Sequence, residues 1–148
     1  MVECDLSRGG ARLPWDALLA ESGRVHECLG ALFSIVPSPV MVVNRFLQTV
    51  YVNDAFLSRF SRTLGEVLGL RIGDLLCCPS AVESLSGCGT SPSCPACPAM
   101  RAFSAAYNSR RAVAGVELAC RRENRVSLWG VSPMAVEGEL HVACVRQP

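Results

Sequence analysis

The chain predicts an α+β domain, a five-stranded antiparallel sheet with short helices on one face and an amphipathic helix in front. Three observations carry this. An apolar stripe at helical spacing opens the chain; two short β-branched runs follow it; and three longer alternating runs close it. Between the early and late strands lie only short, glycine-punctuated helical turns and one longer helix. That order lacks the βαβ alternation of a parallel sheet.

Residues 1–13 read as a loose arm, and Pro14 sits where a helix can begin without a backbone donor. Trp15, Leu18, Leu19, Val25, Leu29, Leu32, Phe33 and Val36 recur every three, four or seven residues. They predict an amphipathic helix over Pro14–Val36, with a possible break at Ser22-Gly23. Its stripe fits either its own domain or a second copy of the chain. Pro37-Ser38-Pro39 ends the helix. Val40–Val43 and Thr49–Val52 are strands, and Asn53-Asp54 caps a short helix ending at Phe60. Glu66–Leu68 and Ile72–Leu76 are helical turns, and Pro98–Tyr107 is a helix with Met100, Phe103 and Tyr107 on one face. Val113–Cys120, Val126–Met134 (ending near Pro133) and Leu140–Val145 are strands, the last two joined at Glu137-Gly138. Residues 1–36 thus form an arm and dimerisation helix, and 37–148 the main domain.

The length of 148 residues fits one domain, and half of them are apolar, enough for a packed core. There is no lysine, and the formal net charge of +1 argues against a nucleic-acid backbone as partner. The acidic start Met1–Asp5 leads into no apolar run, and prolines interrupt Ala31–Val43. The expectation is a cytoplasmic protein with no membrane partner. In that compartment nine cysteines favour metal binding or thiol redox chemistry over a disulfide framework.

The cysteines concentrate in residues 77–98. Cys78, Cys88, Cys94 and Cys97 have the spacing C-x9-C-x5-C-x2-C, and two residues between Cys94 and Cys97 let both sulfurs turn to one centre. The loop is too polar to bury a core of its own, so a metal or a disulfide would supply its constraint. Three readings stay open. Four thiolates suit zinc; they suit an iron–sulfur cluster equally, and Cys97-Pro98 echoes the end of ferredoxin-type runs. A metal-free thiol switch is the second reading, since the helix opened by Pro98 lowers a nearby thiol's pKa. The third is free thiols in a loop that merely closes the fold.

The passage Val50-Tyr51-Val52-Asn53-Asp54-Ala55-Phe56, with Gly69 and Asp74-Leu75-Leu76 after it, resembles a PAS domain over roughly Leu32–Arg146. In that family an asparagine opens the first short helix, the place Asn53 takes here. The resemblance implies a sensory module of a bacterial signalling protein, such as a two-component system, rather than an enzyme. It also implies dimerisation through the N-terminal helix and sheet, and an output domain or partner protein. The first turn departs from the family, with Asn44 and Leu47 where it has an aspartate and a glycine. Residues 87–98 are similar to a bacterial subset in which G-C-G precedes C-x2-C and a helix. Cys78 takes the place of that subset's first cysteine; Cys77 stands where glycine is commoner and is left out of the site.

Other candidates are weaker. His141 lacks sequence support as a haem ligand, and no helix suits a flavin–cysteine adduct, so neither haem nor flavin is expected. His26 reads as a packing residue, and Trp129 as core or interface. Cys120 and Cys144 read as small buried hydrophobes; Cys4 and Cys28 have no partner by spacing. Arg101, Arg110, Arg111, Arg121 and Arg122 form a solvated face or meet an acidic ligand. A thiol oxidoreductase built on Cys94 and Cys97, or a plain dimerising module with a cysteine staple, are the alternative functions.

Overall fold

In the computed structural model, residues 12–85, 87–120 and 124–148 are described, Cys120 by its backbone alone. The expectations for Cys4, Arg121, Arg122 and the start of the arm lie outside the described residues, as does that for the Cys120 side chain. Helix α1 is Trp15–Ser34, with Pro14 at its N-cap. It runs unbroken through Ser22-Gly23, where the sequence allowed a break. Gly23 faces open space. Its helix-propensity cost of about 1 kcal/mol is offset by the burial of Leu18 and Val25 on either side.

The five strands are β1 Val40–Val43, β2 Thr49–Val52, β3 Val113–Cys120, β4 Arg125–Val136 and β5 Glu139–Arg146. They pair in the order β2-β1-β5-β4-β3, every neighbour antiparallel. Strand β4 passes through Pro133, where the sequence placed its end. The reason is positional: β3 leaves β4 at Val113↔Val131, so beyond that point β4 pairs only with β5. A proline is tolerated on an edge because its missing N–H has no neighbour to serve.

Pleating divides the strands between two cores. Met41, Val43, Val52, Val142 and Cys144 face one way, against Phe56, Leu75, Met100 and Phe103. Those four belong to α2 Asp54–Phe60, α4 Ile72–Leu76 and α6 Pro98–Ser109; α3 Leu64–Val67 lies on the same side through Val67. Val40, Val42 and Ala143 face the other way, against Leu18, Val25 and Phe33 of α1. The stripe of α1 is therefore split. Leu18, Val25 and Phe33 dock on this chain's own sheet, whereas Trp15, Leu19 and Leu32 stay 43–58% exposed and Ile35, at the C-cap, 77%. Trp129 is fully buried, its Nε1 donating to Ser127 Oγ at 2.8 Å. Among the described residues, no helix is long and apolar enough to cross a membrane.

Asn53 joins these layers. Its Oδ1 accepts from Val40 N at 2.9 Å and from Phe56 N at 3.0 Å, which caps α2. Its Nδ2 donates to the carbonyls of Phe33, Val36 and Ser38 at 3.0–3.2 Å. One buried amide thus fixes the end of α1, the start of β1 and the start of α2.

Candidate functional site

Cys78, Cys88, Cys94 and Cys97 all line one cavity of about 340 Å³ between α4, α6 and the outer end of the β3–β4 hairpin. Each arrives on a different local device. Cys78 is the N-cap of a short helix that the sequence reading left as loop, α5 Pro79–Glu83. Cys94 opens a 3-10 turn, Cys94–Ala96, which closes with Cys97 N donating to Cys94 O at 2.9 Å. Cys97 is the N-cap of α6, whose first residue is Pro98. Cys77 caps α4 in the left-handed conformation (φ 56°) and is not among the lining residues.

Cys88 is placed by two residues that the cysteine pattern does not reveal. Asp74 is the N3 residue of α4; its Oδ2 accepts from Arg71 N at 3.1 Å and its Oδ1 from Cys88 N at 2.9 Å. Gly87, at φ +79°, makes this possible, because a Cβ there would come within 2.6 Å of Asp74 Oδ1. Arg71 is 2% exposed; its Nη1 donates to Cys88 O at 2.9 Å and its Nε to Phe46 O at 2.8 Å. Gly73 completes the seat: a Cβ there would meet Cys88 Sγ at 2.7 Å and Cys78 Cβ at 3.2 Å. The only advance signals were the glycines beside Cys88 and the family-like aspartate of Asp74-Leu75-Leu76.

The electrostatics follow from this seating. Burial pushes the Cys88 thiol up to about 11; Asp74, Cys94 and Cys97 push the same way, and a Gly73 backbone hydrogen bond opposes them. Burial also lowers the Arg71 guanidinium, with Arg12 adding to it, while Cys88, Asp74 and Cys94 pull it back. Cys88 alone is thus an inert neutral thiol at neutral pH; a cation in the cavity would supply what its ionisation lacks. The described cysteines Cys28, Cys77, Cys78, Cys88, Cys94, Cys97 and Cys144 are free. Among the described residues no three cysteine sulfurs lie within 4.8 Å of one another.

The other candidates settle as packing. His26 Nδ1 lies 2.9 Å from Ser22 O, and its ring stands edge-on to Tyr51. Cys28 is exposed, and Cys144 is a buried core residue whose thiol burial holds well above its ordinary range. Arg101, Arg110 and Arg111 are exposed, and Arg110 Nη1 donates to the Tyr107 carbonyl. His141 points to the α1 side of the sheet, its Nε2 2.6 Å from Glu21 Oε1 and its Nδ1 3.2 Å from Glu139 O. Glu21, Glu139 and His141 are the one cluster among the described residues whose ligand atoms lie within 4.8 Å of one another. Glu21 and His141 already satisfy each other, and the cluster reads as a latch between α1 and β5. No pattern in the sequence announces a pair 120 residues apart.

No family model matches the chain, and no curated protein matches its sequence. Solved structures do resemble it. The PAS domain of BvgS from Bordetella pertussis is 20% identical, with 81% of this chain and 82% of that one covered and a TM-score of 0.56. A LOV protein from Rhodobacter sphaeroides is 16% identical, covering 84% and 66%, with a TM-score of 0.58. The PAS domain of nitrogen regulation protein NR(II) from Vibrio parahaemolyticus is 13% identical, covering 79% and 94%, with a TM-score of 0.52. Identity this low carries the architecture across and no ligand with it. The chain has the fold of a PAS domain.

Proposed function

We propose that this is a sensory PAS domain of a signalling protein, and that Cys78, Cys88, Cys94 and Cys97 form its sensing site by binding a metal. The observation that carries the reading is their convergence on the wall of one cavity from α4–α5, the loop at 87–89, a 3-10 turn and the start of α6. The donor set fits. Four thiols suit zinc or an iron–sulfur cluster, and the rest of the wall, with Ile72, Leu76, Ala99, Met100 and Leu118, is largely apolar. Tetrahedral zinc holds its sulfurs about 3.8 Å apart, so this loop would have to close up to bind it. A cluster spreads its cysteines over several irons and asks for less closing. An iron–sulfur cluster would supply oxygen or redox sensitivity; zinc would staple the loop.

Anaerobic isolation, followed by metal analysis and a visible spectrum, tests this. Iron with sulfide and a brown colour select the cluster, and one zinc per colourless chain selects the staple. Either must fall to background when any of the four cysteines is changed to serine, and must survive Cys77→Ser. Metal-free protein that forms a reversible Cys94–Cys97 or Cys88 disulfide supports the thiol switch instead. Metal-free protein with inert thiols sinks the sensing site.

A second reading, a dimerising interaction module, has its own support in the exposed apolar side chains of Trp15, Leu19 and Leu32 on α1 and of Ile35 at its C-cap. It is compatible with the first, and a homodimer through α1 is part of the proposal. A thiol oxidoreductase built on Cys94 and Cys97 is disfavoured because the all-antiparallel strand order holds no thioredoxin-like βαβ unit.

A further inference from the structure

Four buried or half-buried polar contacts join the cysteine loop to α1 without a break, and a fifth leads from α1 to β5. Arg71 Nη1 donates to Cys88 O at 2.9 Å, and Arg71 Nε donates to Phe46 O at 2.8 Å. Phe46 N donates to Asn44 Oδ1 at 2.9 Å. Asn44 Nδ2 donates to Glu21 Oε2 on α1 at 3.3 Å, and Glu21 Oε1 lies 2.6 Å from His141 Nε2. Arg71, Asn44, Glu21 and His141 are each no more than 4% exposed. The core therefore spends three of its buried polar side chains, Arg71, Asn44 and Glu21, on a link between a loop and a helix on opposite faces of the sheet, and His141 ties that link to β5.

We propose that Arg71 couples the state of the cysteine site to the docking of α1. The inference rests on the cysteine-site reading above. The guanidinium is a planar fork, so its Nε and Nη1 acceptors cannot move independently without stranding a buried donor. When the loop carrying Cys88 tightens around a bound ion, Arg71 and the Phe46 carbonyl must follow. The turn transmits this because Asn44 Oδ1 also accepts from Gln48 N at 3.0 Å, and Asn44 N donates to Gln48 O at 3.1 Å. Its Nδ2 holds Glu21. A tightened loop thus fixes the middle of α1 on the sheet.

Hydrogen exchange of the full chain, with and without one equivalent of zinc(II), tests this, with binding read by native mass spectrometry. Exchange of α1 amides should slow at least about 5-fold, the low end for allosteric coupling. Amides of β4 serve as the reference for any global gain. Arg71→Lys cannot serve both carbonyls as a fork; it should bind zinc and lose the α1 effect. Asn44→Asp keeps the turn's acceptor but sets a second carboxylate against Glu21 in place of the donor; should the Arg71 variant not fold, this one should bind zinc with α1 exchange raised alike in its presence and absence. Cys94→Ser should also lose the effect, which separates this site from the Glu21–Glu139–His141 cluster. Slowing that persists in any of these variants, or zinc binding to the wild type with α1 unchanged, overturns the coupling and leaves the metal site standing. Failure of the wild type to take zinc overturns the coupling, which is stated for a bound ion, and removes the zinc form of the site; the cluster form is judged separately by the iron, sulfide and spectrum above.

Discussion

Removing the Asp74 carboxylate should free the Cys88 loop. Cys88 is 6% exposed, and its backbone N–H ends on Asp74 Oδ1 at 2.9 Å. A hydrogen bond to a charged group contributes about 1.5–3 kcal/mol. At about 1.4 kcal/mol per tenfold, Asp74→Ala raises the open population of the loop roughly 10- to 100-fold. The assay is alkylation of reduced, metal-free protein by iodoacetamide, read cysteine by cysteine by mass spectrometry. Cys28, exposed on α1, is the internal reference and should not change. Losing the carboxylate also removes one cause that raises the Cys88 thiol, which alone would quicken alkylation. Gly87→Ala separates the two effects. It leaves every charge in place, yet its Cβ would meet Asp74 Oδ1 at 2.6 Å from a left-handed backbone. Both variants should accelerate Cys88 and spare Cys28. A rise below about 3-fold in Gly87→Ala, with the fold intact by circular dichroism, would show that Asp74 is not the clamp, since a strained loop must open more often.

Asn53→Ala removes five side-chain hydrogen bonds and strands the buried Val40 N, while Phe56 N keeps the Asn53 carbonyl at 3.1 Å; urea unfolding should show a loss of about 3 kcal/mol, and a loss under 1 would refute the central role given to Asn53. Burial raises Cys88 from 9.0 to about 11, so in alkali the unfolded chain releases this proton before the folded one. Reduced, metal-free protein is therefore unaffected by this group below about pH 9 and loses about 2–3 kcal/mol between pH 9 and 11, a slope that Cys88→Ala should remove. Leu32→Glu with Ile35→Glu should dissociate a dimer built on α1, at about 2 kcal/mol, or roughly 30-fold in Kd, for each side chain. Light scattering that shows the same dimer in the double variant would place the interface elsewhere.

The architecture was legible because it rests on local patterns. The strand positions follow from β-branched runs, and the face shared by Leu140, Val142 and Cys144 follows from alternation alone. Asn53 was legible as a cap, since its acceptor serves a residue three positions on; its three donor contacts, to Phe33 in α1 and to Val36 and Ser38 after it, depend on tertiary approach. Pro133 misled for the same reason. A proline limits a strand only where a neighbour needs its N–H, and whether β3 reaches that far is a matter of register. The helix α5 hid behind Cys78-Pro79, where a proline at the first helical position reads equally as a loop residue.

The site divides along the same line. Cysteine spacing pointed to the four side chains that share one cavity, because a chelating pair and flanking glycines are short-range features. What seats them was not legible: Arg71 reaches 17 residues to Cys88 and 25 to Phe46, and Glu21 meets His141 across 120. Those contacts exist because a sheet with helices on both faces must bury a few polar groups where its loops cross, and each buried group demands a partner. Here the partners chosen lead from the cavity to α1 rather than closing on themselves. An unpaired guanidinium in that position would cost more than an unpaired amide. Arg71 is thus the residue whose loss should be felt both at the cysteines and at the helix.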